Sequence, residues 1–203
     1  MKTLKVKWTG IRPLLMSNPQ TVQLSNPYSM TARRVGGEIK AARKKQDEDK
    51  MMRLEKEMAR NDWEASAYFD DKNNVFYLPD TVIIASIKAG ATASKRGRDI
   101  DRAVIVNETE VVIGTKKHNS LDAYYDDSAF VLSGPAKIPP KTGALVWKCR
   151  CMIPTGWTLE FSVDFEESLI EQRTLIEAMK TAGVMCGIGG WRPKFGRFLV
   201  EIV

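Results

Sequence analysis

The chain has 203 residues, enough for one domain with a large insertion and a real hydrophobic core. Its apolar fraction of 43%, with every aromatic type present, excludes a disordered chain, because that much apolar surface can offset the entropy of ordering. Lys and Arg outnumber Asp and Glu by 31 to 25, a formal charge of +6; this fits a polyanionic partner without identifying one, so the placement of charge must carry the argument.

The opening MKTLKVKWTG lacks a continuous apolar stretch, so no signal peptide is expected. No run approaches the roughly 20 apolar residues of a membrane span. Cys149, Cys151 and Cys186 are an odd number without a secretory context, which favours reduced thiols. The expectation is a cytoplasmic protein that avoids membranes.

In chain order, TLKVKW puts Leu4, Val6 and Trp8 on one face, the period of a half-buried strand. Gly10, Pro13, Pro19 and Pro27 then impose a loop. Residues 38–60 read as a charged amphipathic helix, with Met51, Leu54 and Met58 as its stripe and a break near QDED. SAYFDDKNNVFYLPD reads as a hairpin, and Asp80 as the N-cap of a helix carrying Val82, Ile83, Ile87 and Ala91. ATASKRGRDIDR is loop chemistry, followed by two short β-rich runs, AVIV and EVVI. Residues 114–143, with Pro135 and Pro139-Pro140, show one clear apolar run, AFVL, and are expected to run over the surface. ALVWKCRCMI and TLEFSVDF alternate around PTGW as a hairpin. A last helix follows, with Ser168 and Glu171 as a capping box and Gly183 as its C-terminal cap, before the final strand RFLVEIV.

Without the insertions, the order is strand, helix, strand, strand, helix, strand, over 3–8, 81–90, 144–153, 158–165, 169–182 and 197–203. That is the α+β ferredoxin-like order shared by RNA-recognition modules. The expected organisation is a single domain, 1–203, with a charged helical insertion at 30–66 and a loop-rich one at 114–143.

Three stretches carry a family resemblance. KVKWTGIRPLLMSN resembles the first strand and loop of RAMP-superfamily proteins, especially the CRISPR effector backbone subunit. YLPDTVIIASIKAGA resembles the helix that follows there, and AGVMCGIGGWRPKFGRF the C-terminal glycine-rich loop, in a form similar to that of phage-encoded relatives. Gly190 stands where an acid is frequent and Ser17 where His is common, which leaves the roles of those two positions open. The resemblance implies a modified RNA-recognition-motif core and nucleic-acid binding, and does not imply membership of a CRISPR system.

The stretch GIGGWRPKFGRF concentrates the functional signal. Gly187, Gly189 and Gly190 permit a nest of amides for an anion, with Gly196 further along. Arg192, Lys194 and Arg197 add cations with no acid between them, and Trp191 and Phe195 could stack on bases. The alternative is that the glycines merely turn a helix into a strand while the two aromatics fill the core. Lys95, Arg96 and Arg98 in SKRGR form a second basic loop; Arg33, Arg34, Arg43, Lys44 and Lys45 form a third group beside acids.

The leading expectation is a non-enzymatic binder of single-stranded RNA or DNA, of phage or prophage type, gripping phosphates without sequence preference and self-associating as an oligomer or filament subunit. No metal or cofactor is called for: Cys149, Cys151, Cys186 and His118 lack zinc spacing, and the pairs Asp70-Asp71 and Asp126-Asp127 read as turn formers. His118, the one histidine, is the candidate acid or base of the alternative, a metal-independent endoribonuclease. A protein-interaction module with a basic face is the third reading.

Overall fold

The computed structural model describes residues 1–137 and 145–203. Its elements are β1 (Lys2–Gly10), β2 (Leu14–Leu15), α1 (Pro27–Lys45), α2 (Glu48–Ser66), β3 (Phe69–Asp70), β4 (Val75–Pro79), α3 (Asp80–Thr92), α4 (Gly97–Ala103), β5 (Val104–Val106), β6 (Glu110–Gly114), α5 (Leu121–Asp126), β7 (Val131–Lys137), β8 (Leu145–Ile153), β9 (Thr158–Phe165), α6 (Gln172–Thr181) and β10 (Phe198–Ile202). Pro139-Pro140 and the rest of 138–144 lie outside the described residues. The chain divides into two compact units: residues 1–15, 68–119 and 153–203 form one, and 16–67 with 120–152 the other.

The first unit is built on an antiparallel sheet of order β10-β1-β9-β6-β4-β3, with β5 also on β9. β1 and β5–β6 thus lie parallel on either side of β9 and are joined through α3; β9 and β10 flank β1 and are joined through α6. This is the α+β ferredoxin-like core. Its second strand is β5–β6 and not residues 144–153, which the sequence pattern suggests. Both segments alternate well, and pattern alone does not reveal a partner.

The broken second strand has a physical cause. β5 and β6 meet β9 in registers that differ by three residues, so Asn107, Glu108 and Thr109 bulge between them. Glu108 repairs the gap in the ladder, accepting the Ser162 amide on its carboxylate at 2.9 and 3.1 Å. An amide that would otherwise lose its partner is thereby satisfied.

The alternation of β1 buries Leu4, Val6 and Trp8, and that of β9 buries Leu159, Phe161, Val163 and Phe165. Trp8 stacks on Phe198 with centroids 4.0 Å apart and meets Phe161 edge-on at 5.0 Å. α3 and α6 close together because small residues face one another: a Cβ on Gly90 would overlap the Ala178 carbonyl and come within 2.9 Å of the Ala182 methyl.

Three cap assignments shift. α3 starts at Asp80 itself, with Pro79 in the cap position. α6 starts at Gln172 after Glu171, because Ser168 bonds to Glu166 instead of closing a capping box. Gly183 does not end the helix, which continues as a π turn over Ala182–Cys186; Gly183 is buried where a Cβ would strike the Phe198 carbonyl.

The second unit pairs α1 with α2 over Val35, Ala42 and Leu54, flanked by Ile39, Met51 and Met58. The two helices are separated at Gln46, in the left-handed region with φ 54°, and α2 is capped by Asp47. Buried Trp63 donates to the Phe130 carbonyl at 2.8 Å, and Arg60 lies over the Tyr125 ring at 4.5 Å. β8 pairs antiparallel with β7, Val131 opposite Cys151, so 145–153 and 158–165 belong to different sheets and are not a hairpin. Part of the region expected to run over the surface is regular, forming α5 and β7.

Candidate nucleic-acid interface

The glycine-rich loop joins the π turn after α6 to β10. Gly187, Gly189 and Gly196 have φ of 72°, 80° and 69°; Gly190 does not, and the residue that does is Trp191, at 50°. Each positive-φ glycine also sits against backbone. A Cβ on Gly187 would lie 2.7 Å from the Phe195 carbonyl oxygen, one on Gly189 2.5 Å from that of Leu15, and one on Gly196 would overlap that of Ile188.

The loop's amides are largely spent inside the unit. Gly187 donates to Ala182 at 2.7 Å, Ile188 to Gly196 at 2.9 Å, Gly190 to Leu15 at 2.7 Å and Gly196 to Pro13 at 2.7 Å. An anion nest needs amides that point outward together. Here Gly190 and Gly196 instead tie the loop to residues 13–15, Gly187 ties it to the π turn, and the anion-attracting groups are side chains.

Those side chains point outward. Trp191, Arg192 and Lys194 are exposed, Phe195 and Arg197 half-buried. Trp191 retains 39% of its surface, so it does not fill the core; its ring lies 6.1 Å from that of Phe195, and the Lys194 ammonium is 5.7 Å from the Phe195 ring. Arg197 donates from Nε to the Pro193 carbonyl at 3.0 Å. The Arg197 carbonyl accepts the amides of Ile11 and Arg12, which adds exposed Arg12 to this group of cations. Sequence reading passes over Arg12, since a single cation in GIRPLL carries no patch signal; only the pairing of that loop with residue 197 brings it in. Ala89, Met185, Cys186 and Gly189 complete an open depression around Trp191 and Arg192.

Lys95 and Arg96 are exposed in the turn between α3 and α4, with Lys95 at φ 60°, and Arg98 is exposed in the first turn of α4. Arg96 is paired to Asp99 at 2.9 Å, which offsets one of the three charges. α3 connects this turn with the glycine-rich loop: Ser86 donates to the Gly187 carbonyl at 3.3 Å and Ala89 lines the depression. Of the third basic group, Arg34 is held by Glu38 at 2.9 Å and by Glu57.

His118 lies in the loop after β6, where Asn74 donates to its carbonyl oxygen at 2.6 Å. Asp70 accepts from Lys72 and Asn73, and Asp127 from Ala129, which is turn-forming behaviour. Burial pushes the Cys149 thiol up and the Cys151 thiol well up, so both stay protonated. Among the described residues, no three His, Cys, Asp or Glu side chains gather as a metal site, and no helix is long and apolar enough to cross a membrane.

RNA-recognition modules stack bases on aromatics of the sheet surface. The polar faces of the two central strands here carry Thr3, Lys5, Lys7 and Thr9 on β1, and Thr158, Glu160, Ser162 and Asp164 on β9. Lys7 is paired to Glu160 at 2.9 Å and Thr3 donates to Asp164 at 2.6 Å. On these two strands the surface is acidic as well as basic and has no stacking ring, and the aromatic on that face of the sheet is half-buried Tyr77 of β4, opposite Val112; the rings that stand together with cations are those of the glycine-rich loop.

The class defined by the fold is thus the ferredoxin-like α+β core, with a group of cations on the loop before the last strand. No protein-family model and no curated protein sequence matches the chain. Among solved structures, it is similar to a chain of the Type III-B Cmr-beta bound to cognate target RNA, with a TM-score of 0.51 and 11% identity. That similarity covers 100% of this chain and 59% of the other, so this chain spans well under two thirds of that neighbour's length.

Proposed function

We propose that this protein binds single-stranded nucleic acid without sequence preference and without catalysing a reaction, as a phage- or prophage-type RAMP protein that assembles as repeating subunits. The observation that carries the reading is exposed Trp191 followed by Arg192, Lys194 and Arg197 with no acid in residues 187–198, and exposed Arg12 joined to them through the Arg197 carbonyl. Cations on a loop pinned by backbone bonds meet phosphates without first being ordered, and a partly exposed indole offers a face to any base. Lys95 and Arg98 extend the path of the strand along the same unit. The RNA named with the structural neighbour supports this choice of partner. Self-association is supported by β10, which ends the sheet with Leu199 exposed, an open edge for pairing.

Anisotropy of a labelled single strand across a salt series tests the reading. Binding should weaken linearly in log–log form, and Arg192→Ala with Lys194→Ala should reduce the slope by about 1.4 while leaving the melting temperature unchanged. Absent or salt-insensitive binding refutes it.

A further inference from the structure

In the second unit, α1 carries Arg33, Arg34, Lys40, Arg43, Lys44 and Lys45 against a single acid, Glu38. At 3.6 residues per turn these charges fall on different faces. Val35 and Ala42 are buried with Leu54 of α2, and the face turned away from them holds Arg33, Gly37, Lys40 and Lys44, all exposed. The acids that neighbour this group in sequence belong elsewhere. Glu38 lies to one side and pairs with Arg34, which also meets Glu57 of α2, while Asp47 caps α2 and Glu48 and Asp49 open it. Among the described residues, none of Arg33, Lys40 and Lys44 is paired with an acid.

Helix stability does not account for this stripe. Cations in a last turn complement the helix dipole, which covers Arg43, Lys44 and Lys45 but not Arg33 or Lys40; α1 also lacks the first-turn acids that α2 has in Glu48 and Asp49. Packing does not account for Gly37 either. A Cβ there would meet nothing within 4 Å, and glycine is the poorest helix former after proline. In the middle of a cationic face, a position without a side chain lets the backbone of a partner come close.

The composition of the face selects that partner. Protein interfaces centre on apolar and aromatic anchors and are poor in Lys, whereas this face has one large apolar side chain, Met30, at its end. A helix lying on a membrane needs its apolar side free, and that of α1 is packed against α2. A row of cations without anchors suits the evenly charged backbone of a nucleic acid. From Arg33 to Lys44 the helix rises about 16 Å at 1.5 Å per residue, a length along which a stacked strand carries about five phosphates.

We propose that this face of α1 is a second phosphate-binding surface: Arg33, Lys40 and Lys44 take phosphates of a single strand, and bare Gly37 lets the sugar-phosphate chain lie against the helix. The proposal rests on the strand-binding reading above and adds to it a contact in the second unit, made by the charged insertion.

The test measures binding of a labelled single strand of about thirty residues across a salt series. Arg33→Ala, Lys40→Ala and Lys44→Ala combined should lower the log–log slope by about 2.1, three contacts at about 0.7 each. Alanine favours a helix at all three positions, so the loss is not one of folding. Gly37→Glu, a better helix former in open space, should raise the melting temperature yet weaken binding about tenfold at low salt, the effect of one like charge beside a phosphate. Arg34→Ala should lower the slope by less than about 0.7, since two acids already answer its charge. An unchanged slope in the triple variant, wild-type affinity in Gly37→Glu, or an Arg34→Ala effect as large per residue as that of the triple variant overturns the helix contact while strand binding stands. Labelled polyglutamate that binds the wild type as tightly as the strand, and loses this in the triple variant, assigns the face to an acidic protein and overturns it too. Wild-type protein that binds no strand overturns both readings.

Discussion

The glycine-rich loop and the 94–98 turn look alike in sequence, each a run of cations among small residues, yet they are built in opposite ways. In the glycine-rich loop, Gly187, Gly189 and Gly196 lie where a side chain would strike backbone, and the amides of Gly187, Gly190 and Gly196 are spent on Ala182, Leu15 and Pro13. The 94–98 turn has one glycine, Gly97, which begins α4 at an ordinary φ, and one of its cations is paired within the turn to Asp99. A rigid loop presents its charges unopposed; the turn is a helix start whose charges are partly answered. Similar composition therefore predicts different sensitivity to substitution.

The largest contrast should come from the glycines. Gly196→Ala meets both a positive φ and the Ile188 carbonyl, and should cost about 3 kcal/mol or more in denaturant unfolding. Gly97→Ala, whose Cβ would lie 3.2 Å from the Thr92 hydroxyl, should change stability by less than about 1 kcal/mol. If the two cost the same, the distinction between the loops is wrong. Next in size is Trp191→Ala, expected to remove about 1–3 kcal/mol of single-strand affinity with no change in salt slope, read by anisotropy.

Smaller still is Arg96→Ala. With Asp99 as competitor for its charge, it should lower the salt slope by less than about 0.7, the value for one full phosphate contact on a single strand. A drop as large per residue as at Arg192 and Lys194 would make the two loops equivalent. The mildest test uses thiol alkylation followed by mass spectrometry. Cys186, half-buried at the entrance to the glycine-rich loop, should react first and be slowed by bound strand, whereas Cys149 and Cys151, buried and protonated, should resist at neutral pH.

Much of this molecule follows from local pattern. The alternation of Leu4, Val6 and Trp8, the helical faces of 81–90 and of α6, the hairpin around Asn74, and the break between α1 and α2 are each readable because side-chain periodicity reports the burial of one face directly. So are the cations and aromatics of the glycine-rich loop.

Partners are not readable in the same way. Residues 144–153 and 158–165 alternate as a hairpin would, but β8 pairs with β7, and the strand beside β9 is the bulged β5–β6. Strand pairing depends on hydrogen bonds between distant segments, which alternation does not encode. The same holds for the site. Composition alone determined that residues 187–198 combine charge, rings and conformational freedom; the tertiary structure decided how they are used. The glycines serve close backbone contact because Leu15 and Pro13 come against them, Arg12 joins through the carbonyl of Arg197, and Arg33, Lys40 and Lys44 share the free face of α1 because Val35 and Ala42 turn the other face to α2.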